Sequence, residues 1–209
     1  MKKLNVKILV VIVTILLSGC FAGKTMPQNQ YLFAVNYPSQ STAAVNKVAI
    51  EIKPLVSLPQ FTSNEFLYRL STYNYITDYY NEFLVPASQQ ITNVSVEFLS
   101  RQGWTSYIKS DTSPYQQADY VLMGTIVGLY ADYRISSQPK AILAIHYVFY
   151  KDKKDRNHIL LDKVYTQAVP LQAKSTQALI TAWNAGLTTI MYQLAGNIKI
   201  AINDNSTGS

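Results

Sequence analysis

The chain contains one cysteine, Cys20. No disulfide can form within it, so packing and hydrogen bonding alone must hold whatever fold it takes. The place of that cysteine constrains the chain further. Lys2, Lys3 and Lys7 open the sequence, an apolar run from Ile8 to Leu17 follows with only Thr14 interrupting it, and Leu17-Ser18-Gly19-Cys20 closes the segment. A charged start, a short apolar run and a small-residue site make residues 1–19 a secretory signal. A span of the bilayer needs ~20 apolar residues, so a retained transmembrane helix is the weaker reading.

Leu17, Ser18, Gly19 and Cys20 together resemble the bacterial lipobox. That resemblance implies cleavage before Cys20, a diacylglycerol thioether on its sulfur, and an acyl group on the freed amine. Each buried methylene contributes ~0.8 kcal/mol, and two or more chains anchor stably where one binds reversibly. Aspartate after the cysteine would favour the inner membrane in the sorting rule that the resemblance brings; Phe21 stands there. The expectation is a lipid-anchored protein on the periplasmic face of the outer membrane, with no cofactor beyond these acyl groups.

Charge narrows the class of partner. The formal net charge is +6 over 209 residues. Three of the 18 basic residues lie in the leader, which leaves 15 against 12 acidic ones, a net +3 from Cys20 onward. No dense Lys/Arg patch of the kind that grips phosphate backbones occurs, so nucleic acid is not an expected partner. Tyrosine is abundant, with 16 residues. Its ring packs well in strands while its hydroxyl stays hydrated. Two readings follow: a tyrosine-rich sheet, or a surface that meets a protein or a lipid.

Residues 20–46 are rich in Gln, Asn, Ser, Thr and Pro and read as a lipidated tether. Tyr31-Leu32-Phe33-Ala34-Val35 is the exception, a candidate added strand or docking segment. Residues 47–203 read as one domain. Val48, Ile50 and Ile52 alternate with Lys47, Glu51 and Lys53, the period of a half-buried strand. Residues 65–72 and 73–80 predict a hairpin turning near 72–74. Leu84, Ala87, Ile91, Val94 and Phe98 then recur at steps of three and four, and Pro86 and Gly103 set the limits of that helix. Long strands are predicted over 120–134, with Gly124 and Gly128 marking bulges or close backbone approach, over 141–150, and over 159–169 as far as Pro170. The charged stretch 151–157 joins the last two as a loop, more simply solvated than functional. Leu179, Trp183, Leu187, Ile190, Leu194, Ile198 and Ala201 trace a long amphipathic helix, capped by Ser175 or Thr176. Residues 204–209 read as a polar tail. The fold class is an α/β (α+β) sandwich: a mixed or antiparallel sheet of about five to seven strands against two main helices.

Reactive chemistry is sparse. The two histidines are His146, in a predicted strand, and His158, beside the charged loop. No metal-binding His/Cys spacing, nucleophile elbow or phosphate loop occurs. The carboxylates Glu65, Asp78, Glu82, Glu97, Asp111, Asp119, Asp132 and Asp162 are dispersed, without the local pair a glycosidase needs. The expectation is a protein that is not an enzyme and binds no metal.

Several phrases in this order resemble the ABC-type transport auxiliary lipoprotein family, partners of MCE-type and paraquat-inducible intermembrane lipid transport systems. They are Tyr31-Leu32-Phe33, Val48-Ala49-Ile50-Glu51-Ile52 running into Leu58-Pro59-Gln60-Phe61, Phe66-Leu67-Tyr68-Arg69, Ala118-Asp119-Tyr120-Val121-Leu122, and the helix over 178–190. The family's tryptophan at the start of the first helix is absent from Asn81-Glu82-Phe83-Leu84-Val85-Pro86, where Phe83 stands. The resemblance implies a non-catalytic part in moving phospholipid or apolar molecules across the periplasm. Its partners would be MCE subunits with their ABC permease and ATPase; self-association is left open. Phe61, Phe66, Tyr68, Tyr73, Tyr75, Tyr79 and Tyr80 are the candidate contact residues for partner or lipid. Two other classes share the same pattern: a docking or activator lipoprotein for a cell-wall synthase or barrel, and a ring-forming secretion lipoprotein.

Overall fold

The computed structural model describes residues 27–39, 47–110, 118–151 and 158–207. Its spine is strand β7 (Tyr120–Asp132), buried along most of its length. Three short strands lie in succession along one edge of β7, all parallel to it. They are β2 (Val48–Ile52) beside residues 120–122, β3 (Val56–Ser57) beside 125–126, and β4 (Glu65–Arg69) beside 131–132. Outside β2 runs β6 (Thr105–Ser110), also parallel. Outside β4 runs β5 (Tyr75–Phe83), antiparallel, and outside β5 runs β1 (Asn29–Tyr31), parallel. The other edge of β7 carries β8 (Lys140–Lys151) and then β9 (Ile159–Pro170), joined as an antiparallel pair.

Two helices cover one face, α1 (Ala87–Ser100) and α2 (Thr176–Thr207). Tyr147 of β8 meets Ser95 of α1 through their hydroxyls at 3.0 Å. Neighbouring Tyr165 of β9 accepts from Asn197 of α2 at 2.8 Å. The helices touch where Phe98 meets Tyr192 edge-on, at 4.9 Å. Leu179, Trp183, Leu187, Ile190, Leu194 and Ile198 are all buried, as their spacing requires, and each contributes about 1.5–3 kcal/mol. Ser175 caps α2 by accepting from the Ala178 amide at 3.2 Å. The helix then runs to Thr207, through residues read as a polar tail.

The fold class is α+β with a mixed sheet, but the described residues form nine strands in place of the expected five to seven. The additions are short pieces with no hydrophobic period of their own. β3 has two residues, β1 is Asn-Gln-Tyr, and β6 follows a tight turn after α1. Leu84, read as part of the first helical face, lies before Pro86 and is exposed. The hairpin strand β5 continues past Tyr80 to Phe83.

The segment Tyr31 to Val35, set apart within the tether as an added strand or docking segment, does dock on the domain, and Asn29 and Gln30 join it there. After β1, Phe33 stacks on Phe83 at 5.1 Å and Val35 is buried. Gln90 of α1 accepts from the Phe33 amide at 2.7 Å, and Asn184 of α2 from the Ala34 amide at 3.0 Å. Eight residues, and so nine chain steps, separate Cys20 from Asn29. Fully extended they span about 30 Å, far less than a leash ending at residue 46 would allow.

Both glycines singled out in β7 are explained. A Cβ at Gly124 would lie 2.7 Å from Leu55 and 2.9 Å from the buried Tyr147 ring. The pairing with β8 slips between Ile126 and Gly128, which is a bulge. Gly196, on the exposed side of α2, has nothing within 4 Å of a Cβ. Gly124→Ala is therefore expected to destabilise the fold by about 1–2 kcal/mol. Gly196→Ala should stabilise it by about 0.5–1 kcal/mol through helix propensity. Opposite shifts of the thermal midpoint would be the observation that checks both.

Candidate functional site

The β4–β5 hairpin has an unusual ladder. Glu65 pairs with Glu82, yet the next residue, Phe66, pairs with Asp78. Tyr79, Tyr80 and Asn81 therefore oppose nothing on β4, a bulge in that ladder, although Asn81 still pairs with Asn29 of β1 on the other side. Asp78 holds the bulge in shape. Its carboxylate accepts from the Tyr68 hydroxyl at 2.6 Å, the Asn81 side-chain amide at 2.8 Å and the Tyr80 backbone amide at 2.9 Å. Burial pulls the Asp78 pKa up, but these bonds outweigh it and hold the carboxyl below its ordinary value. Burial, with the hydrogen bond to Asp78, pushes the Tyr68 phenol far above its own, so it stays a donor. Asn81 ties the bulge to the docked segment by accepting from Tyr31 at 3.1 Å and Asn29 at 3.3 Å.

The hairpin tip is closed by Leu70 donating to Asn74 at 2.9 Å, and by Arg69, whose guanidinium donates to the Ser71 and Thr72 carbonyls. The same guanidinium lies over the Tyr75 ring at 5.4 Å and the Tyr130 ring at 5.9 Å. Beside the tip lies the β7–β8 loop, residues 133–139, joined to β4 where the Tyr133 amide donates to the Arg69 carbonyl at 2.8 Å. Tyr133 stacks on Tyr68 at 5.5 Å. Arg134 clasps Asp132 with contacts down to 2.6 Å, and that hydrogen bonding holds the Asp132 carboxyl low. Lys174, just before α2, reaches Ser136 in the loop at 2.7 Å. Asp132, Arg134, Ile135, Gln138 and Lys140 line a shallow hollow of about 240 Å³. One end of the molecule thus gathers a tyrosine-rich tip, the exposed Ile135, and four cations in Arg69, Arg134, Lys140 and Lys174.

No family model matches the chain, and no curated protein does. The likeness is one of fold. Protein XCC0632 from Xanthomonas campestris, of the family model DUF330, is 17% identical over 86% of this chain and 99% of that one, with a TM-score of 0.73. An uncharacterized protein is 13% identical over 82% of this chain and 99% of the other, at 0.65. A looser match at 0.37, lipoprotein GNA1162 from Neisseria meningitidis, is 12% identical over 69% and 98% of the two chains. A score that low does not fix even the fold.

The candidate contact residues divide into two groups. Tyr73 is 94% exposed, Tyr79 74% and Tyr80 52%, and with Tyr75 they share the hairpin. Phe66 is core, packed against Tyr31, Phe83 and Trp183, and Phe61 is buried beside Tyr130. Tyr68 stands between, half-buried, as the donor to Asp78. The structure adds Leu70, Ile76 and Ile135, all exposed on the same end, which residue type alone had not marked. Leu17, Ser18, Gly19 and Cys20 lie outside the described residues, as does most of the charged loop, 152–157.

Elsewhere, His146 meets Asp162 at 2.5 Å on the open face of the sheet, and His158 meets Asn205 at 3.2 Å. Among the described residues no three metal-ligating side chains converge. A broad depression of about 430 Å³ lies at the far end of β7, lined by Lys53, Met123, Val148, Tyr150 and Ile159. No described helix is long and apolar enough to cross a membrane.

Proposed function

We propose that this chain is a lipoprotein, cleaved before Cys20 and anchored by acyl chains on that residue to the periplasmic face of the outer membrane. It serves there as the non-catalytic auxiliary component of an MCE-type ABC lipid transport system. The permease and ATPase supply the energy, and the cargo is phospholipid or a related apolar molecule. The single observation that carries the reading is the docking of residues 29–35 on the folded domain. That docking supports the reading, because the nine chain steps from Cys20 to Asn29 span at most about 30 Å and would hold a lipid-anchored domain close to its membrane. The transport assignment rests on the phrases shared with the auxiliary lipoprotein family. Val48-Ala49-Ile50-Glu51-Ile52 and Ala118-Asp119-Tyr120-Val121-Leu122 include the adjacent strands β2 and β7, so two of those phrases meet in one core.

Affinity capture of tagged protein from detergent-extracted membranes, beside a Cys20→Ala control, tests the reading. Recovery of an MCE subunit with its permease and ATPase, lost or much reduced in the control, is the expected result. A cell-wall synthase, barrel-assembly factors or secretion subunits in place of a transporter would overturn the transport role and leave the anchor standing.

A further inference from the structure

We propose that the end of the sheet formed by the β4–β5 hairpin and the β7–β8 loop rests in the headgroup layer of the membrane that anchors the chain. The inference rests on the lipid anchor at Cys20 and adds the orientation of the domain.

Chain direction is the first argument. β1 is parallel to β5, with Asn29 beside Asn81 and Tyr31 beside Phe83. The polypeptide therefore approaches β1 from the side of Tyr80, Tyr79 and the hairpin tip. Its lipid-bearing residue is nine positions upstream of Asn29, at most about 30 Å away. The end of the domain that carries Tyr73 is thus the end nearest the anchor. Val121 and the strand ends paired with it, Tyr150 and Ile159, lie at the other end of β7, about 35 Å along the strand.

Surface chemistry is the second. From Leu70 to Thr77 the hairpin carries no charged residue, but offers Leu70, Tyr73, Tyr75 and Ile76, and the bulge adds Tyr79 and Tyr80. Arg69 and Asp78, which flank the stretch, are turned inward on the Ser71 and Thr72 carbonyls and on Tyr68. Tyrosine rings with free edges and hydrated hydroxyls are the side chains that settle at the boundary of acyl chains and headgroups. Lys140 and Lys174 flank this tip and match phosphate in the headgroups, while Arg134 beside them is held on Asp132. A bilayer surface fits an apolar, uncharged tip bordered by cations.

The test uses lipidated full-length protein reconstituted in phosphatidylethanolamine–phosphatidylglycerol vesicles. With the Cys20 sulfur in thioether linkage, Tyr73→Cys provides a unique thiol for a nitroxide, and Ile159→Cys provides the distal control. Both native side chains are at least half exposed, so the labels leave the core intact. The Tyr73 label should collide with an aqueous nickel chelate at least threefold less often than the Ile159 label, and more often with oxygen dissolved in the bilayer. Equal aqueous exposure at the two sites would overturn the orientation. Mass spectrometry of the N-terminal peptide from the same sample separates the failures. Acylated Cys20 with an aqueous Tyr73 defeats this inference alone, whereas an unmodified Cys20 defeats the anchor and the orientation together.

Discussion

Trp183→Ala is expected to lower the free energy of unfolding by about 3–5 kcal/mol, the range for truncating a large aromatic side chain in a core. The indole is 1% exposed, meets Phe66 edge-on at 5.1 Å and lies 5.7 Å from Phe83. Its Nε1 also donates to the Ile142 carbonyl of β8 at 3.0 Å, so one side chain pins α2 to both halves of the sheet. Phe66 and Phe83 in turn support Tyr31 and Phe33. The cavity therefore opens beneath the docked N-terminal segment, and the amide of Leu84, which donates to the Tyr31 carbonyl, should exchange its hydrogen faster. Trp183→Phe keeps most of the ring contact and loses the hydrogen bond, so a loss of about 1–2 kcal/mol is expected. Urea unfolding checks the series through a lower midpoint at unchanged slope. An alanine variant within 1 kcal/mol of the parent would show that α2 does not lock the β4–β5 layer.

That tryptophan was readable in the sequence because it sits on a period. The steps of three and four from Leu179 to Ile198 place it on the buried stripe of α2, and all six residues named on that stripe before Ala201 are buried. The same logic located α1, with Pro86 immediately before Ala87. Long strands with strong apolar runs were equally legible, and β7, β8 and β9 fall within two residues of their expected limits. β3 was not, because it carries no pattern, and β1 was legible only in part: Tyr31 opens the segment marked as an added strand or docking segment, while Asn29 and Gln30 carry no apolar signal. β3 is recruited by two residues of β7, and β1 by Asn81–Phe83 and by aromatic contacts from distant elements. Sequence period reports which face of an element is buried; it does not report an edge supplied from elsewhere.

The contact end was half legible for a related reason. An excess of tyrosine marked the hairpin, and Tyr73, Tyr75, Tyr79 and Tyr80 do share it. Aromatic identity carries no direction, so Phe61 and Phe66 were grouped with residues that point to solvent. Period two held part of the correction. Phe66 and Tyr68 share a face of β4, and the same face turns toward Trp183 and Tyr133. The three-residue bulge was invisible, since it depends on pairing Phe66 with Asp78 and Glu65 with Glu82 at once. Arg134 and Ile135 entered only when β4 and β7 were set side by side.

Asp78→Asn is expected to destabilise the domain by about 2–3 kcal/mol at neutral pH, because three donors converge on its carboxylate and bonds to a charged acceptor are the stronger kind. An asparagine has one acceptor oxygen, and its amide would face donors. The folded-state pKa of Asp78 lies below its ordinary 3.8. Its stabilising contribution is thus fully present above the unfolded value and lost as pH falls through the folded one. The gap between parent and variant should be constant from pH 7 to pH 5, begin to shrink below about pH 4, and close only as pH falls through the folded value. Asp132, also held low, titrates in both proteins and cancels in the difference. Paired urea unfolding at pH 7 and at steps down to about pH 2 measures the effect. A gap that persists in acid would mean that the asparagine disturbs the bulge by shape and not by loss of charge. Where the gap closes, the carboxylate is what keeps Tyr79 and Tyr80 turned outward, and the tyrosine-rich end is a built surface in which one half-buried acceptor sets the exposure of two rings.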